Sequence, residues 1–251
     1  MTFKVECQEM QDRYAGDLGD FSKFAIVNVL LQELPGKVGV IWYRFPNETH
    51  NNDGRHTKYV TDSRWKDCSP ELVSKLREVV DSNLRTISAL EHAHCLPEST
   101  RYFGEAIHSD GNRSWSRRDW FRRAMIAVEE CQIVVADPDN GIAGIHHAPE
   151  SSKGGKHITF EEIHALAQSH PCVILYHHFD RSASHVIQAK RLIENLQTIA
   201  PGSKVAAIRY RRVSPRAYFI VYAPTLEVQF RRAILKLTTG DWAFHFELIA
   251  H

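Results

Sequence analysis

Four unbroken apolar runs constrain this chain more than any other feature: KVGVIWY at 37–43, QIVVA at 132–136, CVILY at 172–176 and YFIVY at 218–222. A strand with one wet face alternates apolar and polar residues. These runs do not, so they are expected to be buried on both faces. Around them the spacing predicts helices over 21–34, 70–82, 115–130, 159–169, 183–199 and 225–237, and further strands over 100–107, 204–210 and 242–249. The helix at 70–82 opens on Ser69-Pro70, and proline is accepted in a first helical turn. The helix at 159–169 opens on Thr159 with Glu162 three residues later, the spacing of a capping box. Strands and helices alternating in this way make a mostly parallel, Rossmann-like α/β sheet with helices on both faces. The last strand is expected to run antiparallel, paired with the strand at 218–222. One α/β domain over 1–251 accounts for the whole chain.

Composition narrows the function classes. Of 251 residues, 43% are hydrophobic and 24% charged, a globular balance that excludes disorder as the main state. Lys and Arg number 31 against 30 Asp and Glu, for a net charge of +1. That excludes a nucleic-acid binder with a uniformly basic surface and leaves only a local basic face. The apolar runs fall far short of the roughly 20 residues a bilayer span needs, and residues 1–7 hold no apolar core of signal-peptide type. The expectation is a soluble, cytoplasmic protein with no membrane partner. The five cysteines, Cys7, Cys68, Cys95, Cys131 and Cys172, include no CxxC pair. They read as buried, inert thiols rather than a disulfide framework or a zinc site.

In open α/β sheets, ligands bind beyond the carboxyl ends of the strands. Three such ends are rich in polar groups here: RFPNETHNNDGRH at 44–56, DPDNG at 137–141 and HHFDR at 177–181. A fourth polar stretch, GDLGDFSK at 16–23, precedes the first helix. Each has a plainer reading. Asn52-Asp53-Gly54 is a turn signature, and DPDNG also suits a strand-ending turn. His177 and His178 also read as one buried and one solvated ring. Asp20 also reads as the cap of the first helix. Lys23, placed in the first turn of that helix, opposes its macrodipole, and this misfit favours a functional role. Arg117, Arg118, Arg122 and Arg123 read as a solvated face or as a phosphate-binding face, the latter making nucleic acid a partner.

The order of elements resembles the large-subunit ribosomal RNA adenine-N6 methyltransferases, which begin with an AGNxADVLKH-type motif, and is similar to the three-Cys-motif partner proteins. Ala15-Gly16 match the AG of that motif, Asp20 its D and Lys23 its K. The family's DPPY tetrad falls on Asp137-Pro138-Asp139-Asn140, and its NPP segment with the following helix falls near Ala223-Pro224. The resemblance implies a class I methyltransferase-like sheet and S-adenosylmethionine as cofactor. It puts Asp20 and Lys23 at that cofactor, with Asn52, Asp53 and Gly54 in the place of its turn, and Asp137, Asp139 and Asn140 at the reacting centre. The polar strand ends add His178 to that centre and His56, His177 and Arg181 as substrate contacts. Two departures stand out. The place of the glycine-rich cofactor turn, 46–54, has a single glycine, although glycine is what lets backbone amides approach a ligand closely. Asn140 replaces the aromatic residue that stacks on a flipped base, and Asp139 adds a carboxylate that would favour a cationic substrate or a metal.

Three functions follow as expectations. The first is methyl transfer from S-adenosylmethionine to an amine, a nucleic-acid base being one such acceptor. The second is a metal-dependent phosphoesterase or nuclease, with Asp17, Asp20, Asp53, Asp137 and Asp139 as hard oxygen ligands for Mg²⁺ or Mn²⁺. In that case His178 would move a proton, and Arg181 or Lys23 would hold a phosphate. The third is a non-catalytic binding module on the same scaffold.

Overall fold

A computed structural model describes residues 12–44, 54–82, 85–107, 113–144, 154–213 and 216–250. In chain order the elements are α1 (Leu18–Glu33), β1 (Val38–Trp42), α2 (Ser63–Lys66), α3 (Pro70–Asp81), α4 (Ile87–His92), β2 (Arg101–Phe103), α5 (Arg113–Ala127) and β3 (Ile133–Asp137). There follow β4 (Gly141–Ile142), β5 (His157–Ile158), α6 (Phe160–Ser169), β6 (Cys172–His178), α7 (His185–Ile199), β7 (Lys204–Tyr210), β8 (Arg216–Tyr222), α8 (Glu227–Thr238) and β9 (Phe246–Ala250).

Seven strands form one sheet in the order β2-β1-β3-β6-β8-β7-β9, and β4 and β5 pair separately. β2, β1, β3 and β6 run parallel. β8 is reversed and lies between β6 and β7, antiparallel to both, and β9 pairs antiparallel with β7. The protein is thus α/β with a mostly parallel sheet, helices on both faces and reversed strands toward one edge. The apolar runs explain this layering. Successive strand residues point to opposite faces. In β3, Ile133 and Val135 pack with α1, α3 and α8, whereas Val134 and Ala136 pack with α5, α6 and α7. All seven residues of β8 are buried.

α1 has almost no wet side, because it packs against both α3 and α8 as well as the sheet. Phe21, Phe24, Ile26 and Leu30 on it are each at most 1% exposed, and burying a side chain of this kind stabilises by about 1.5–3 kcal/mol. The helix begins three residues earlier than its apolar pattern suggests. Asp17, not Asp20, is the cap: it has extended backbone and its side chain accepts from Gly19 N–H at 2.6 Å. Lys23 consequently sits in the second turn, beyond the reach of the helix-end dipole. The predicted capping box of α6 is present in both directions, Thr159 accepting from Glu162 N–H and Glu162 from Thr159 N–H. The short helices α2 and α4 and the β4–β5 pair carry too few residues to show a period. Cys95, Cys131 and Cys172 are buried free thiols, and burial pushes Cys95 and Cys172 up to about 12, so both stay protonated and inert.

Candidate active site at the carboxyl ends of β1 and β3

The chain leaves β1 toward β2 on one side and returns to β3 on the other, so the sheet's switch point lies between β1 and β3. A cavity of about 350 Å³ opens there, lined among others by Asp17, Asp20, Lys23, Trp42, Asp137 and Arg216. The location is the one expected of a ligand site in an open α/β sheet.

Its floor is a buried charge chain. Lys23 Nζ donates to Asp20 Oδ1 at 2.8 Å and to Asp137 Oδ2 at 2.6 Å, and it lies 4.4 Å above the Trp42 ring. Asp20 Oδ2 accepts from Gly16 N–H at 2.8 Å. Burial alone would lower the lysine, but Asp137 and Asp20 together hold it well above its ordinary value, fully charged. Burial pushes the Asp17 carboxyl up, against the pull of Arg216. Asp137 Oδ1 makes no bond among the described residues and faces the cavity.

The stretch Ala15–Gly19 is clamped in place. Arg85 Nε donates to the Ala15 carbonyl at 2.7 Å, Tyr59 Oη to that of Gly16 at 2.9 Å and Tyr218 Oη to that of Gly19 at 3.2 Å. Gly16 has φ +75, and a Cβ there would lie 3.0 Å from Val80, so glycine serves both a left-handed turn and a close approach. Arg85 Nη2 also donates to the Gly54 carbonyl at 2.8 Å, which brings the single glycine of the expected cofactor turn to the cavity wall.

Of the residues expected at a site, Asp20, Lys23, Gly54, His56, Asp137, Asp139, Asn140 and His178 line this one cavity. Asn52 and Asp53 lie outside the described residues. Lys156 Nζ lies 3.4 Å from Asp139, Asn140 N–H donates to the Lys156 carbonyl at 2.9 Å, and His178 Nδ1 is 3.0 Å from Tyr176 Oη. His177 and Arg181 are not in this cavity. They line a neighbouring groove that shares Asn140 and His178 with it. His177 Nδ1 accepts from Ile142 N–H at 3.2 Å, and burial, with His178 beside it, lowers the ring to about 4. It is a neutral ring holding the DPDNG turn, not a proton carrier near neutral pH. Gly141, with φ +93, leaves room for it: a Cβ there would be 2.6 Å from His177 Cα.

The arginines of α5 do not form a free basic strip. Arg117 is buried at 7% exposure. Its Nε and Nη2 fork onto Glu162 at 2.6 and 2.9 Å, and its guanidinium lies about 5 Å from the Tyr43 and Trp120 rings. Arg122 and Arg123 both bond Asp119, and Arg123 also bonds Glu105. Arg118 alone of the four is exposed without an ion pair among the described residues. Three of the four charges are matched within the chain, which leaves Arg118 by itself and no basic strip to read as a phosphate-binding face.

Carboxylates do not gather for a metal either: among the described residues no group of three or more His, Cys, Asp or Glu side chains could hold one. The cation between Asp20 and Asp137 is the chain's own ammonium. Sequence reasoning missed Trp42, Arg44, Lys156, Tyr176 and Arg216 in the cavity wall. Trp42 was hidden in an apolar run, and Arg216 lies 199 positions beyond the cap Asp17 it faces, so only the tertiary fold brings them together. Among the described residues no helix is long and apolar enough to cross a membrane. No protein-family model matches the chain, and no curated protein does.

Proposed function

We propose that the protein transfers a methyl group from S-adenosylmethionine to an amine, in the cavity between β1 and β3, and that it does so in the cytoplasm. The observation that carries the reading is the convergence of Asp20, Lys23 and Asp137, drawn from α1 and the end of β3, on one cavity at the sheet's switch point. The donor set fits the cofactor's chemistry. Asp17 and Asp20 can accept from an ammonium or from ribose hydroxyls, Arg44 and Arg216 can receive a carboxylate, and Trp42 gives an apolar wall. When bound, the cofactor supplies an electrophilic methyl group.

The chain's own residues orient the acceptor. Lys23 holds Asp137 through Oδ2, leaving Oδ1 to accept from an acceptor N–H. The Pro138 carbonyl would accept a second N–H, turning the nitrogen lone pair away from conjugation. Orientation of this kind is what a displacement with an aligned nucleophile needs. Asn140 stands where the resembled family has an aromatic ring, so the acceptor is held by hydrogen bonds rather than by stacking at that position. The reversed β8, inserted between two parallel strands, also suits the class I methyltransferase-like sheet that the resemblance implies.

Isothermal titration with S-adenosylmethionine tests the proposal. Saturable heat that Asp20→Asn weakens at least tenfold is expected. Absence of heat with both S-adenosylmethionine and S-adenosylhomocysteine, the protein being folded by circular dichroism, overturns it.

A further inference from the structure

Beside the cavity, and along the same carboxyl edge of the sheet, runs a groove of about 1430 Å³. It begins at Asn140 and His178, which it shares with the cavity, and continues between the end of β6, the start of α7 and the end of β7. Small-molecule sites are typically about 300–1,000 Å³, so this space suits a longer ligand. Five arginines line it: Arg181, Arg191, Arg209, Arg211 and Arg212. They come from a loop, a helix, a strand and a turn, and only the fold brings them together.

Their charge is not internally balanced. Asp180 is the one carboxylate on the wall, and it is held by Ser182 N–H and Oγ–H. Glu247 serves two of the arginines, bonding Arg209 and lying 3.6 Å from Arg211. Arg212 binds the Phe244 carbonyl at 2.8 Å and covers that residue's ring. Arg181 and Arg191 are exposed and form no ion pair among the described residues. This contrasts with α5, where Arg117, Arg122 and Arg123 are matched by Glu162, Asp119 and Glu105. Imidazole rings stand among the guanidinium groups: His185 stacks on the buried Phe179 at 4.8 Å and 13°, Arg209 Nη1 is 3.3 Å from His185 Nδ1, and His157 and His178 also line the groove.

We infer that this groove is a track for single-stranded nucleic acid, its phosphates on the arginines and one base turned over Asn140 and His178 toward Asp137. Guanidinium groups in series match a phosphodiester chain, and planar rings between them suit unstacked bases. A single strand is required because a base within a duplex cannot reach a recessed cavity. Delivery of a base to Asp137 rests on the methyl-transfer reading above; the track itself rests on the groove's own charges.

The test is fluorescence anisotropy with labelled single strands of about 12 nucleotides, within the ~4–16 of common single-strand sites. One is ribose, one deoxyribose, and a duplex of the same sequence and poly-glutamate serve as competitors. At least one single strand should bind saturably at low salt and weaken as salt rises, by about 0.7 log units per decade for each phosphate contacted. Arg181→Ala with Arg191→Ala, both exposed and unpaired, should weaken binding at least tenfold and reduce the salt slope by about 1.4. Arg118→Ala on α5 should change neither. No saturable binding, an equal loss in the Arg118 variant, duplex competing as well as single strand, or displacement by poly-glutamate at equal charge would each overturn the inference. Titration of the same preparations with S-adenosylmethionine separates the two ideas: strand binding without cofactor heat leaves the track standing and removes the methyl-transfer reading, and the converse removes the track alone.

Discussion

Lys23 in α1 and Asp137 at the end of β3 meet at 2.6 Å across 114 positions of chain, and their contact joins the first helix to the middle of the sheet. The ammonium also neutralises Asp20, so one buried cation serves two carboxylates, Asp20 buried and Asp137 half-buried.

Replacing Lys23 with methionine should therefore cost more than a packing change. It leaves two carboxylates facing each other without a counter-ion, and breaking a buried pair from one side costs about 3–5 kcal/mol. Urea unfolding checks this. Adding Asp137→Asn should recover part of the loss, because one uncompensated charge is removed; a double variant no more stable than Lys23→Met would count against the charge chain as the cause.

Two left-handed glycines, Gly16 at the cavity and Gly141 in the DPDNG turn, should respond unequally. Gly16→Ala introduces φ strain of about 1–2 kcal/mol and a Cβ only 3.0 Å from a flexible Val80 methyl. Gly141→Ala carries the same strain, but its Cβ meets the His177 backbone at 2.6 Å, which cannot yield without moving β6. Thermal melts should rank Gly141→Ala clearly below Gly16→Ala.

His177 gives a pH dependence with a defined sign. Its ring is lowered from an ordinary 6.5 to about 4 by burial, so the unfolded chain takes up the proton first. Its contribution is complete above about pH 6.5 and is lost as the pH falls toward 4, reaching on the order of 3 kcal/mol at about 1.4 kcal/mol per unit. Protonation also removes the acceptor for Ile142 N–H. Urea midpoints across this range should fall more steeply for the native protein than for His177→Gln, whose side chain does not titrate.

The arginines of α5 offer a contrast within one helix. Arg117→Met strands Glu162 in the core and should cost about 3–5 kcal/mol. Arg118→Met, on the exposed face, should stay within about 0.5 kcal/mol of the native protein. Denaturation of the two variants side by side is sufficient.

What could be read from the sequence follows a physical boundary. β1, β3 and β6 were legible because both faces are buried and the runs are unbroken. The α6 cap was legible because its partners are three residues apart. Asp137, Asn140 and His178 were legible as candidates because polar groups at strand ends point to a crevice, and Asp20 because it lies in a polar stretch that opens the first helix. The cap of α1 was misplaced because Gly16-Asp17-Leu18-Gly19 shows no apolar period. The role of Arg117 was hidden because an arginine-rich helix face looks wet until Glu162 is brought to it from 45 positions away. β9 pairs with β7 rather than with β8, a choice made by the sheet and not by neighbouring sequence.

The bond from α1 to β3 also orders events during synthesis. Helix α1 emerges first, but until more than a hundred further residues follow, Lys23 has Asp20 alone for company, and much of the helix's oily girth has nothing to rest on. Assembly of the crevice thus waits on distant partners. A nascent chain interrupted before Asp137 would own a helix but no floor for the crevice, and would be a natural client for chaperones.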